Sequence, residues 1–246
     1  MIRTYLNLHR QSGIEYYPAS EALQRFLAGS LSRRPVASVP GNRRDSSAGR
    51  PGREAPMGLD RLREMIRECT ACDLAGETAD RFTGLGNAAP DLMVIGDYPG
   101  PDREGIWGGD EDAMFWKMMA AIGLDRDRIY VSNCIRCRTD QSMIEAGGSQ
   151  RPCLAFIARE LAAVRPRLVC TMGGMATGLV LRSREPLFRL RGRFHSCALQ
   201  TMETVQVMPT FHPRFLGRHP EMKRAAWMDL QRIQHRLATI QRKRSP

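Results

Sequence analysis

Four short, mainly apolar runs, Asp91–Gly96, Ile129–Ser132, Arg167–Gly173 and Thr204–Pro209, constrain the fold of this chain more than any other feature. Apolar stretches of this length, bounded by turn residues, read as strands buried on both faces. Helical patterns lie between and after them, around Ala113–Ile122, Leu154–Val164 and Met175–Leu181, and along Trp227, Leu230, Ile233 and Leu237. Upstream, the spacing of Leu59, Leu62 and Ile66 predicts an amphipathic helix ending near Cys69. Strands that alternate with helices predict an α/β layered fold with a mostly parallel sheet, in which sites gather at the carboxyl ends of the strands. No internal repeat is visible.

The globular domain is expected to occupy residues 58–246, because residues 30–56 are dense in Arg, Pro, Gly and Ser and read as a flexible linker. Residues 1–29 have scattered apolar positions, and no chemistry is assigned to them. No apolar run is long enough to span a membrane and no signal-peptide core precedes the linker, so the expected location is cytoplasmic. In a reducing compartment, clustered cysteines among the seven present are expected to hold metal rather than to pair as disulfides. A net charge of +11 favours a polyanionic partner, with nucleic acid first. Arg232, Arg236, Arg242, Lys243 and Arg244 form either a DNA track or a solvated face.

Cys69 and Cys72 form a C-x2-C pair, with Cys137 and Cys153 further on. Four thiolates suit either tetrahedral zinc or an iron–sulfur cluster, since both demand soft sulfur ligands. Cys134 and Cys137 make a second C-x2-C, which leaves a zinc-ribbon arrangement open. Cys170 and Cys197 read as ordinary buried thiols. The turn Gly96-Asp97-Tyr98-Pro99-Gly100 follows the first strand directly and leaves backbone N–H groups and a carboxylate at its carboxyl end. Taken alone, such a turn is also an ordinary loop. Asn133, at the end of the second strand, offers an amide that donates and accepts together, which suits reading a base edge. His212, beside Pro213 in the loop after the last strand, can aim a ring nitrogen at a developing anion.

In order and spacing these pieces resemble the family-four uracil-DNA glycosylases, over about Gly58 to Leu237. That family carries a C-x2-C, a Gly-Glu-x-Pro-Gly turn matched by Gly96–Gly100, and a Gly-x-Pro-Phe-Val-Gly segment matched by Gly105-Ile-Trp-Gly-Gly109. A strand ending in Asn and followed by Lys-Cys-Arg corresponds to Asn133-Cys-Ile-Arg-Cys-Arg138. Cys153, Arg191-Gly192 and His212-Pro213 complete the series. The resemblance implies a three-layer α/β/α domain around a mostly parallel four-stranded sheet. It implies a 4Fe–4S cluster on Cys69, Cys72, Cys137 and Cys153, with zinc as the alternative. It further implies that Trp107 stacks on a flipped base bordered by Gly96 and Tyr98, that Asn133 bonds the Watson–Crick edge, and that His212 stabilises the leaving group. Asp97 then stands where the family has Glu, on the water side. The implied activity is hydrolysis of the N-glycosidic bond of uracil or another deaminated base in DNA, by a monomer.

Two departures accompany the match. Asp97 is one methylene shorter than Glu, and Trp107 replaces Phe in a segment that also lacks the Pro and needs a one-residue gap. They leave a non-catalytic iron–sulfur or zinc relative that binds nucleic acid as the alternative function.

Overall fold

The computed structural model describes residues 58–72, 74–77, 80–100, 105–138, 151–198 and 204–243, all within one compact unit, Pro51–Pro246. The expectations for residues 1–29 and 30–56, and for Arg244, lie outside these residues. In chain order the elements are α1 (Leu59–Arg67), α2 (Leu74–Glu77), β1 (Leu85–Gly86), β2 (Leu92–Gly96), α3 (Gly109–Ala121), β3 (Ile129–Asn133), α4 (Arg151–Val164) and β4 (Leu168–Met172). They continue as α5 (Gly174–Leu181), α6 (Leu187–Leu190), β5 (His195–Cys197), β6 (Val205–Thr210), α7 (Pro213–Arg218) and α8 (Lys223–Arg242).

The sheet has six strands in the order β1-β3-β2-β4-β6-β5. Its four central strands run parallel, while β1 and β5 pair antiparallel at the two edges. The four strands expected from the sequence are thus the parallel centre of a mixed sheet. Each edge strand has only two or three residues, too short to leave an alternating pattern in the sequence.

Every residue of β2, β3 and β4 is buried, because helices cover both faces. Leu92, Val94, Ile129 and Val131 point to one side and pack with Phe115 and Met119 of α3 and Leu230, Ile233 and Leu237 of α8. Met93, Ile95, Tyr130 and Val169 point to the other and pack with Ile157 and Leu161 of α4 and Ala176 and Val180 of α5. This alternation produces the three layers. Cys170 lies within the first core and Cys197 beside the second, as expected of plain buried thiols.

One buried polar network ties β3 to α4. Glu160 of α4 is inaccessible to solvent and accepts hydrogen bonds from Arg136 Nη1 (3.0 Å), Tyr130 Oη (3.0 Å) and Ser132 Oγ (2.6 Å). Arg136 is itself buried, so each charge depends on the other. Removing one partner of such a pair leaves an uncompensated ion in the interior. Glu160→Ala is therefore expected to destabilise the protein by about 3–5 kcal/mol, read as a lowered urea midpoint.

Candidate active site

Parallel pairing brings the chemistry-bearing residues to one edge. β2 and β3 are in register with Gly96 opposite Asn133, and the chain beyond β6 runs through Phe211 to His212. Gly96 allows a close approach. A methyl group there would lie 2.5 Å from Asn133 Oδ1 and 2.6 Å from Trp107 Cζ2, so no side chain fits.

Trp107 sits between Gly105 and Gly108, both with positive φ (86° and 139°), in the turn before α3. Its position is fixed from several directions. The backbone N–H groups of Ile106 and Trp107 donate to the Asp112 carboxylate of α3 (2.7 and 2.9 Å), and Gly100 N donates to Ile106 O (3.2 Å). The indole is 2 % exposed and lies edge-on to Phe115 and to His212, with ring centroids 5.1 and 4.6 Å away. Indole Nε1 donates to Asn133 Oδ1 at 2.7 Å. The Nδ2 group of Asn133 is buried and has no partner among the described residues.

His212 is the N-cap of α7 and is 4 % exposed. Its Nδ1 accepts from the backbone N–H of Arg214 at 3.1 Å, so in the neutral ring the proton resides on Nε2. That Nε2 is also buried without a partner among the described residues. Burial, reinforced by the nearby Arg214 guanidinium, pushes the His212 pKa down to about 3. The ring is accordingly a neutral donor throughout the physiological range.

Asp97 moves the opposite way. Burial raises its pKa to about 6, against the lowering effects of the Ala176 hydrogen bond, the Arg214 charge and the Met175 N–H. Oδ1 accepts from Ala176 N at 2.7 Å, in the first turn of α5. A side chain at Gly173, whose φ is 105°, would place its Cβ 2.1 Å from Asp97 Oδ2, so glycine makes room for the carboxylate.

Tyr98 is buried against Leu74, Ile135 and Cys137, and the Arg214 guanidinium lies 4.3 Å over its ring. Arg214 Nε donates to Glu111 Oε1 of α3 at 2.9 Å. Arg214, Glu111 and Asp112 were not singled out in the sequence. Arg214 follows the His-Pro pair immediately and was open to notice, whereas Glu111 lies 103 residues away from it with no local signal.

Cys137 and Cys72 pack in the same small core as Tyr98. Cys137 has Cys153, Cys72 and Cys69 as electrostatic neighbours, with Arg81 also beside it, and burial pushes its thiol up to about 11. Cys153, on α4, neighbours Cys72, Cys69 and Arg136. Cys134 is buried with Met93, Ile95 and Ile157, while Cys137 packs with Cys72 and Ile135. All seven cysteines are free thiols, and among the described residues no three His, Cys, Asp or Glu side chains converge closely enough to hold a metal ion. On the face of α8, Arg232 Nη1 donates to Gly192 O and Arg236 lies 5.4 Å over Phe194. Among the described residues, no helix is long and apolar enough to cross a membrane.

A three-layer fold with these residues at the carboxyl edge of its parallel strands defines a class. The chain belongs to the uracil DNA glycosylase superfamily, whose family model matches residues 83–231. More particularly, it is similar to proteins named Type-4 uracil-DNA glycosylase. It is 23% identical to that of Saccharolobus solfataricus over 190 residues, covering 74% of this chain and 87% of the relative. It is 25% identical to that of Archaeoglobus fulgidus over 183 residues (71% and 91%), and 21% identical to that of Thermotoga maritima over 180 residues (71% and 92%).

The lowered His212 pKa has a direct readout. Ring resonances of His212 should stay constant from pH 8 to pH 5 and shift only on approach to about pH 3; a midpoint near the ordinary histidine value would contradict the neutral-donor assignment.

Proposed function

We propose that this protein hydrolyses the N-glycosidic bond of uracil, or a related deaminated base, in DNA and leaves an abasic site. The observation that carries the reading is a pair of buried donors, Asn133 Nδ2 and His212 Nε2, that have no partner among the described residues and flank one aromatic ring at the carboxyl edge of the sheet. Buried polar groups are seldom left unpaired, and each orphan costs about 1–3 kcal/mol. A base carrying carbonyl oxygens satisfies both.

A glycosylase draws the target base out of the stack and encloses it. Gly96, Tyr98 and Trp107 border the base, and Asn133 reads its edge. As the bond from the sugar C1′ to the base nitrogen lengthens, its electron pair passes to the base and charge gathers on a carbonyl oxygen. His212 Nε2–H donates to that oxygen, a stabilisation that strengthens as the charge grows. Being neutral, the imidazole polarises the base without an initial charge on the ring. The ionised Asp97 carboxylate orients a water against C1′ and accepts its proton as the new C–O bond forms. Asp97 is largely ionised above about pH 6, so the base is ready in neutral solution.

The same reading assigns Cys69, Cys72, Cys137 and Cys153 to a 4Fe–4S cluster. What supports this is the donor set: Cys137 and Cys153 each neighbour Cys69 and Cys72, with Arg81 and Arg136 alongside to offset an anionic group, and closing the site requires the thiols to draw nearer to one another than they stand here. Such a group, when bound, would join α1 to the start of α4 and contribute structure instead of bond chemistry. The protein acts in this reading as a cytoplasmic monomer on DNA, to which its +11 charge draws it.

A non-catalytic DNA-binding relative is the second reading, favoured by one observation: the Trp107 indole already lies against Gly96, Asn133 and His212. Labelled oligonucleotides carrying uracil, hypoxanthine or xanthine separate the two, with strand scission at the abasic site as readout. Release of one of these bases is expected, reduced by about 10²–10³ in His212→Ala. No release from any strand by protein with its cluster intact supports the second reading. For the wild type, kcat/KM should rise with pH through about 6 as Asp97 ionises and show no further limb from His212 above pH 4. Metal analysis should find about four iron per chain with broad absorbance near 400 nm; a single zinc would overturn the cluster assignment.

A further inference from the structure

The carboxamide of asparagine has two ends of nearly the same shape and opposite hydrogen-bonding sense, and its neighbours decide which end faces a ligand. At Asn133 one neighbour is decisive. Indole Nε1 of Trp107 is a donor only, and it lies 2.7 Å from the amide, so the atom facing it is Oδ1. Turning the amide over would set NH2 against N–H, two donors in a buried space, with the cost of both left unpaired.

We propose that Trp107 is the positioning residue for base selection: its indole N–H fixes the Asn133 carboxamide with NH2 turned toward the base, so that the site takes bases with a carbonyl oxygen at that edge and rejects those with an amino group. This rests on the glycosylase reading above and adds the device that gives it selectivity. Asn133 Nδ2 and His212 Nε2 then form a two-donor edge, complementary to the two carbonyl oxygens of uracil. The second lone pair of Oδ1 remains able to accept from the ring N–H between them. Cytosine, with an amino group in place of one carbonyl, meets donor with donor.

The surroundings suit such a fixed element. The Trp107 backbone is held by Asp112 and its ring by Phe115 and His212, so the indole has a defined rotamer. Gly96 lets indole and amide meet across the end of β2 without an intervening side chain. A phenyl ring would fill much of the same space and supply no N–H.

Trp107→Phe is the test, with single-stranded oligonucleotides carrying either uracil or cytosine. Removing one neutral hydrogen bond should lower uracil release about tenfold, and freeing the amide to turn should raise cytosine release above its background, so the uracil-to-cytosine ratio falls by more than the uracil loss alone. A purely structural role would lower both rates in proportion and leave the ratio unchanged, which overturns the proposal while the glycosylase reading stands. A second measurement needs no variant. In the wild type, the Trp107 indole N–H should be protected from hydrogen exchange and stay protected on addition of free uracil. Loss of protection when uracil binds would mean that the ring vacates Asn133, and would overturn the proposal in favour of a displaceable plug. Failure of the wild type to release any base or to bind free uracil overturns both readings together.

Discussion

Parallel pairing of the four central strands is the constraint from which the rest follows. Because β2, β3, β4 and β6 all run the same way, their carboxyl ends meet at one edge, and loops distant in sequence become neighbours there. The in-register pairing of Gly96 with Asn133 puts a residue without a side chain beside one with a carboxamide. Pleating then sends alternate residues of each strand to the two helical layers, which locks the edge between α3 and α8 on one side and α4 and α5 on the other.

Enclosure sets the electrostatics of this edge. The same loss of water that raises Asp97 to about 6 lowers His212 to about 3, because burial disfavours whichever form carries the charge. The two groups are thereby separated in role, one a carboxylate that still ionises near neutrality and the other a histidine that stays uncharged. Arg214 influences both, and its own charge is paired with Glu111 and set over Tyr98. The local sequence His212-Pro213-Arg214 therefore supplies a donor, a helix start and the N–H that fixes the donor's tautomer.

Much of the fold was legible in the sequence because its strands are buried on both faces and appear as unbroken apolar runs. The central strands begin and end within a residue or so of their expected limits, and the helical faces marked by Phe115, Ile157, Leu161 and Leu230 do pack on the sheet. β1 and β5 escaped notice because two or three residues carry no period. For the candidate site, ordered motifs indicated Asp97, Trp107, Asn133 and His212, and the structure brings Trp107, Asn133 and His212 into direct contact. The indole-to-amide bond was not legible: a tryptophan read only as a flat ring conceals its one donor. Nor could spacing reveal the Glu111–Arg214 pair or the Glu160 network, whose members meet only after the chain has folded.

The carboxylate at position 97 has a neighbour that leaves little room for a longer side chain. Asp97 accepts from the first turn of α5, and its oxygens occupy the space that a side chain at Gly173 would need. A glutamate would carry one more methylene into that same volume, toward a helix whose start is already capped by the shorter group. Lengthening the acid therefore calls for a shift of α5 or a different path for the turn. Position 97, Gly173 and the start of that helix are sterically coupled, so a change at one constrains the other two.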